Sequence, residues 1–365
     1  MPILSISLIS LLTAASWQDD HRDGLAALHQ GHYQRAASLL ETAFHTAGKE
    51  NVSPLWMGRL RNNHASALYQ SGAFAEAETG FQQALRFWRS APDASPHELA
   101  RTHNNLAVLY RQWWRLDDAA LHAREALQLD KAALFWHTLG EILRFQGRFT
   151  ESLQALDAAQ QSAPDLVELG TILQARAGVA IDQGQPAQAE PLYRQAVHTL
   201  QSVYTPSHPA VLAAKGNLGV TLVALRKWDE AQPLLESVHL QARAALGDRH
   251  PRVAAAANNL AQLYRAQKRY SDADTLYREA LSVWRRAFGP SHPEYAKGLH
   301  NLASLFVEQG KLQGAEKLYT EAIRIAESQL GRNHSQTRLH ASGLEQIYKL
   351  QNRRTELDRL LRTFR

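Results

Sequence analysis

The sequence predicts an all-α protein: a right-handed α-solenoid of about eight helix pairs, closed by a C-terminal capping pair. Two observations carry this expectation. First, His208, His250, His292 and His334 stand 42 residues apart, and three of them are followed by Pro209, Pro251 and Pro293. A fixed period of that length marks a repeat whose helix pairs bury their apolar faces only by stacking on one another. Second, small residues recur where two helices must cross closely. One column reads Gly24, Ala65, Ala107, Gly140, Ala177, Gly219, Ala261 and Ala303. Another reads Ala36, Ala77, Ala119, Ser152, Ala189, Ala231, Ala273 and Ala315, and a third follows it seven residues on, broken only by Val238.

Taken in order, the columns place a repeat array over residues 17–333, with pairs starting near 17, 58, 100, 133, 170, 212, 254 and 296. The fourth pair is about one turn per helix shorter than the others. Larger residues, among them Phe81, Leu156, Tyr193, Leu235, Tyr277 and Tyr319, fill the space between the small ones. Gly31, Gly72, Gly147, Gly184 and Gly310 fall in the turn inside each pair, where a positive φ is often needed. Beyond Ser335 the pattern fades, and residues 334–365 read as a polar-faced capping pair. Residues 1–16, apolar and ending in small side chains, read as a signal peptide cut near Ala15 or Ser16. They are too short to span a bilayer comfortably. An uncleaved anchor and a buried first helix remain the alternatives, because no basic residue follows Met1. The expected location is therefore exported, periplasmic or extracellular, with the cytoplasm as the alternative.

With 45% hydrophobic and 21% charged residues, the composition is that of an ordinary soluble helical protein. Much of the net charge of +5 sits in the last helix, from Lys349 onward, where a solvated end-cap is the plain reading. The absence of cysteine excludes disulfides, thiolate metal sites and cysteine nucleophiles.

The 42-residue unit of His250-Pro251, Asn258-Asn259-Leu260-Ala261, Leu263-Tyr264 and Leu276-Tyr277 resembles the tetratricopeptide repeat, in the form found in kinesin light chains and in stand-alone bacterial proteins. The resemblance spans about residues 17–333. It implies the solenoid fold and protein binding, but no particular partner. No coiled coil precedes the repeats, so a motor role does not carry over.

Chemistry finds little support. Histidines one repeat apart are separated by at least one helix spacing of about 8–10 Å, so they cannot share a metal whose ligands sit about 2 Å away. A His-Pro pair reads instead as a cap followed by proline in the first turn. No phosphate loop or nucleophile motif is present, and acidic pairs such as Asp117-Asp118 lie at helix starts, where they suit the helix dipole. No enzyme activity, cofactor, metal or nucleic-acid partner is expected.

The asparagines are the sharp signal. Asn63, Asn105, Asn217, Asn259 and Asn301 share one column of the first helix, and Asn62, Asn104 and Asn258 precede three of them. Asparagine within a helix costs roughly 0.5 kcal/mol against alanine, so the recurrence needs a reason. In the family it resembles, this column faces the concave groove, where an amide offers donor and acceptor to an extended peptide. Equally, each amide may tie one repeat to the next; both readings stay open. Arg59, Arg101, Lys297, Arg111, Arg144 and Arg265 lie nearby along the same helices. If they share the groove, it would favour an acidic stretch or a free carboxylate. Trp56, Trp113, Trp114 and Trp136 cluster in the N-terminal half, and an exposed one would serve as a contact hot spot. The expected function is a protein–protein interaction scaffold holding an extended partner segment. The alternative is a structural adaptor that builds an envelope or secretion complex through its outer face and ends. Whether the groove encloses a small-molecule pocket is open.

Overall fold

The computed structural model describes residues 16–364, and the expected leader at residues 1–16 lies outside them except for Ser16. The described residues form eighteen helices and no strand. They cluster into two compact units that divide between Ala94 and Ser95.

The first unit holds two helix pairs: α1 (Trp17–His29) with α2 (Tyr33–Lys49), and α3 (Pro54–Ser71) with α4 (Phe74–Ser90). The second holds seven. These are α5 (Pro96–Gln112) with α6 (Leu116–Leu129), α7 (Ala133–Phe145) with α8 (Phe149–Gln161), and α9 (Leu166–Asp182) with α10 (Pro186–Gln201). There follow α11 (Pro209–Ala224) with α12 (Trp228–Leu246), α13 (Pro251–Ala266) with α14 (Tyr270–Phe288), and α15 (Pro293–Glu308) with α16 (Leu312–Leu330). The last pair is α17 (Ser335–Leu350) with α18 (Arg354–Phe364). No residue of α18 is buried, as suits an end-cap. No described helix is long and apolar enough to cross a membrane.

Local chemistry fixes the helix ends. His208, His250, His292 and His334 are N-caps: each accepts, at Nδ1, the backbone N–H of the residue two further on, at 3.3, 3.1, 3.1 and 3.0 Å. An Nδ1 that accepts must carry a lone pair, so the cap is made by a neutral ring. Two of them stack on the aromatic residue four positions back, His208 on Tyr204 at 3.7 Å and His292 on Phe288 at 4.2 Å. Ser95 and Glu98 form a capping box at α5. The turn inside each pair passes through the left-handed region. Gly31, Gly72, Gly147, Gly184 and Gly310 take it freely, whereas Trp114, Arg226, Lys268 and Asn352 hold the equivalent position with side chains.

The small-residue columns are the helix contacts. Every residue of the Ala36-to-Ala315 column has no exposed surface at all. The Gly24-to-Ala303 column shows a further rule, because its identity follows the residue facing it. A Cβ on Gly24 would come within 2.7 Å of Leu40, and one on Gly140 within 2.8 Å of Leu156; Gly219 meets Leu235 more closely still. Where the column holds alanine, the residue at Leu40's position is an aromatic ring in four pairs: Phe81, Tyr193, Tyr277 and Tyr319. A branched Leu sits with its Cγ over the opposing backbone and leaves no room for a methyl group, whereas a flat ring passes beside one. The pair α5–α6 departs from both patterns, with Ala107 facing Ala123.

Candidate functional site

The asparagine column lies along the first helices of the pairs, and its amides reach back by one repeat. Asn63 Nδ2 lies 2.9 Å from His21 Nε2, in the first unit. In the second unit, Asn217 donates to Gln174 Oε1 at 3.2 Å and Asn301 donates to Asn258 Oδ1 at 2.7 Å. Asn259 lies over Gly216, where an added Cβ would stand 3.2 Å from its Nδ2. These amides therefore staple successive first helices together. Each of the three donations uses one of the two N–H groups an amide carries.

Exposure separates the column's members. Asn217 is exposed, and Asn63, Asn105, Asn259 and Asn301 are half-buried. Asn62 and Asn104 differ from expectation: at 7% and 5% exposure they lie beneath the surface, not along it. Asn258 is also buried, as the acceptor for Asn301.

Around Asn217 and Asn259 the surface sinks into two adjoining depressions of about 140 and 280 Å³. Both are lined by Asn217, Ala255 and Asn259; Ala213 and Gly216 floor the first, and Asn258 and Lys297 edge the second. Amides set beside alanine and glycine suit a close approach of foreign backbone, with Arg252, Gln262 and Glu294 also lining the depressions.

The expected cationic lining is not a free cluster. Arg111 Nη1 lies 3.2 Å from Glu141, which also binds Arg144 at 3.2 Å, and Arg144 reaches Asp182 at 3.5 Å. Arg265 meets Glu308 at 3.6 Å. Apart from the Glu141–Arg144 contact within α7, each pairing runs to a following helix pair, so the arginines tie repeats together and their charge is already met. Gly178 makes room for this: a Cβ there would strike the Arg144 guanidinium. Burial holds the Asp182 carboxyl above its ordinary range, against the pull of Arg144 in the other direction. Lys297 is exposed and 3.7 Å from Glu294, and Arg101 is exposed. In the first unit, Arg59 lies over the Trp56 ring at 5.0 Å.

Of the tryptophans, Trp56 is exposed and packs edge-on against Trp17. Neither Trp113 nor Trp114 is exposed. Trp113 lies 6.4 Å from the Tyr110 ring, and Trp114 packs on Phe145 at 5.8 Å and on His334 at 5.1 Å. His334 also hydrogen-bonds the backbone of Gln112. The turn of the second unit's first pair thus touches the start of its last pair, a closure that a chain of neighbour-to-neighbour contacts does not foretell.

The Tetratricopeptide repeat family model matches residues 56–132, 130–202, 210–282 and 254–328. No curated protein matches the chain in sequence. Among solved structures, the nearly identical TPR-like repeats of a Podosopora anserina kinesin light chain candidate are 24% identical over 55% of this chain and 93% of that one, with a TM-score of 0.44. BtubC of P. vanneervenii is 22% identical over 60% of this chain and 92% of its own, at 0.46. Yeast Tom70 is 15% identical over 97% of this chain and 68% of its own, at 0.58, a likeness of fold. Proteins of these repeats are typically interaction scaffolds without enzyme activity. With matches over most of its length, the chain belongs to the tetratricopeptide repeat family.

Proposed function

We propose that this protein is an interaction scaffold that holds an extended segment of a protein partner across the depressions of α11 and α13. The observation that carries this reading is the row of Asn217, Asn258 and Asn259 set above Ala213, Gly216 and Ala255. Amides already fixed by their staples bond a peptide backbone with little further loss of side-chain freedom. Lys297 at the rim favours a partner segment carrying a carboxylate. Because Arg111, Arg144 and Arg265 are paired internally, that preference rests on Lys297, which stands 3.7 Å from Glu294, and on Arg252 at the first depression.

Substitution of the asparagines would also cut the staples, so the test fills the depressions instead. Ala213 and Ala255 are exposed, and Ala213→Trp with Ala255→Trp adds bulk at the floor without touching a hydrogen bond. The full-length variant should keep its helical circular dichroism spectrum and lose the partner captured by the unmodified protein from extracts of its own cells. Equal capture by both places binding elsewhere on the molecule.

Export is part of the same reading. Its support is the apolar run of residues 1–16 ending in small side chains, beside Ser16, whose hydroxyl caps α1 by accepting the Asp19 N–H at 3.2 Å. Cleavage after Ala15 keeps this cap, and cleavage after Ser16 removes about 1 kcal/mol of helix stability. N-terminal sequencing of protein from fractionated cells should read Ser16 first; an intact Met1 in the cytoplasmic fraction contradicts export.

A further inference from the structure

We propose that His103, His122 and Glu125 form a binding site for a zinc-class divalent cation between α5 and α6. His103 comes from α5, while His122 and Glu125 stand three apart on α6 and so share a face. His103 Nδ1 lies 2.9 Å from His122 Nδ1 and 3.3 Å from Glu125 Oε2. The three ligand atoms all fall within 4.8 Å of one another. Ligands about 2.0–2.1 Å from a tetrahedral zinc stand about 3.3 Å apart, so the two imidazoles need to open by roughly 0.4 Å, while Glu125 already stands at that distance from His103.

The chemistry of the cluster favours a cation over a plain hydrogen-bonded group. Two imidazole Nδ1 atoms facing each other share one proton at most, and the His103 nitrogen faces a carboxylate as well. A divalent ion accepts lone pairs from all three at once. The side chain of His103 is 4% exposed and that of Glu125 is 41% exposed, so the site is anchored in the core and open at its rim. Two imidazoles and one carboxylate make a three-ligand set that leaves a fourth position for water or for a group on a bound partner.

Comparison among the chain's own repeats shows that this pair is built differently. At the position of His122 the other pairs carry Leu39, Leu192, Leu234, Leu276 and Leu318, or the small Gly80 and Ala155. Beside it, Ala123 stands where four pairs place an aromatic ring and three a leucine. The pair thus loses a large apolar residue and gains a ligating one. The ion would cross-link its two helices in place of the missing apolar contact.

The test is a zinc titration of metal-stripped, untagged full-length protein against a chromophoric chelator, repeated with cobalt(II) to read its visible spectrum. The unmodified protein should bind one equivalent and give the intense bands of four-coordinate cobalt. His122→Leu, which installs the side chain of the other repeats, and the milder Glu125→Gln should each weaken binding by about 100-fold. His97→Asn removes a histidine from a separate pair with Asp130 and should change nothing. Circular dichroism checks the fold of each variant, and Glu125→Gln decides the matter if His122→Leu is unfolded. Equal zinc affinity in the unmodified protein and Glu125→Gln, or only the faint spectrum of six-coordinate cobalt, overturns the proposal.

Discussion

At the scale of single residues, the array is governed by whether a methyl group fits. Gly24, Gly140 and Gly219 are glycines because Leu40, Leu156 and Leu235 stand over them, not because the helix needs flexibility there. Gly219→Ala should therefore destabilise the protein by about 1–3 kcal/mol, although alanine is the better helix former. Adding Leu235→Tyr, which recreates the alanine–tyrosine pairing of Ala261 with Tyr277, should restore part of the loss. Urea unfolding of the two variants checks both effects, and additive destabilisation would refute the pairing rule. The columns were legible in the sequence because small residues repeat at fixed spacing. The metal-type cluster was not: His103 and His122 are 19 residues apart and neither carries a motif. The His-Pro marker drew attention to histidines that serve as caps, while the converging ones lay elsewhere. The signal that could have found them is the break in the leucine column at His122.

At the scale of helices, buried histidines, two of them caps and two inside α15 and α17, couple the C-terminal repeats to pH. Burial lowers His292, His300 and His334 to about 4 and His340 to about 3, from an ordinary value of 6.5. The unfolded chain therefore takes up protons that the folded one refuses. The stability these groups contribute is complete above about pH 6.5 and is lost progressively as the pH falls to about 4, and for His340 to about 3. For His292 alone the shift corresponds to roughly 3 kcal/mol as an order of magnitude. His292→Asn keeps a side chain suited to capping but does not titrate. Its urea midpoint should fall less steeply between pH 6.5 and 4 than that of the unmodified protein; parallel profiles would contradict the assignment. That proline opens α11, α13 and α15 was readable from sequence alone. That the ring nitrogen before it accepts the backbone N–H needed coordinates, because the same ring can face either way.

At the scale of the whole second unit, Trp114 and His334 join elements more than two hundred residues apart. Trp114 holds a turn position that glycine takes in other pairs, at φ +58°, a conformation that strains any residue with a Cβ. The strain persists because the ring packs on Phe145 and His334. Trp114→Gly should relax the turn yet expose the far contact. Aromatic contacts of this kind are worth about 0.5–1.5 kcal/mol, so amide exchange in the first turn of α17 should quicken by up to about tenfold. Unchanged exchange at α17 would show that the contact holds nothing. Repeat logic, in which each pair meets only its neighbours, gave no reason to look for this closure. The same logic left the asparagines ambiguous, since a partner 42 or 43 residues back and a bound peptide make similar demands on an amide.

Whether the depressions of α11 and α13 are where a partner lies is best answered in the living cell. A photo-cross-linking amino acid placed at Ala255 looks into the depressions, while one placed at the exposed Leu240 on α12 reports on a surface that lines neither of them. After irradiation, the protein labelled at 255 should carry a covalent adduct to another polypeptide, and the protein labelled at 240 should not. An adduct from 240 with none from 255 would contradict the account and move recognition away from the depressions.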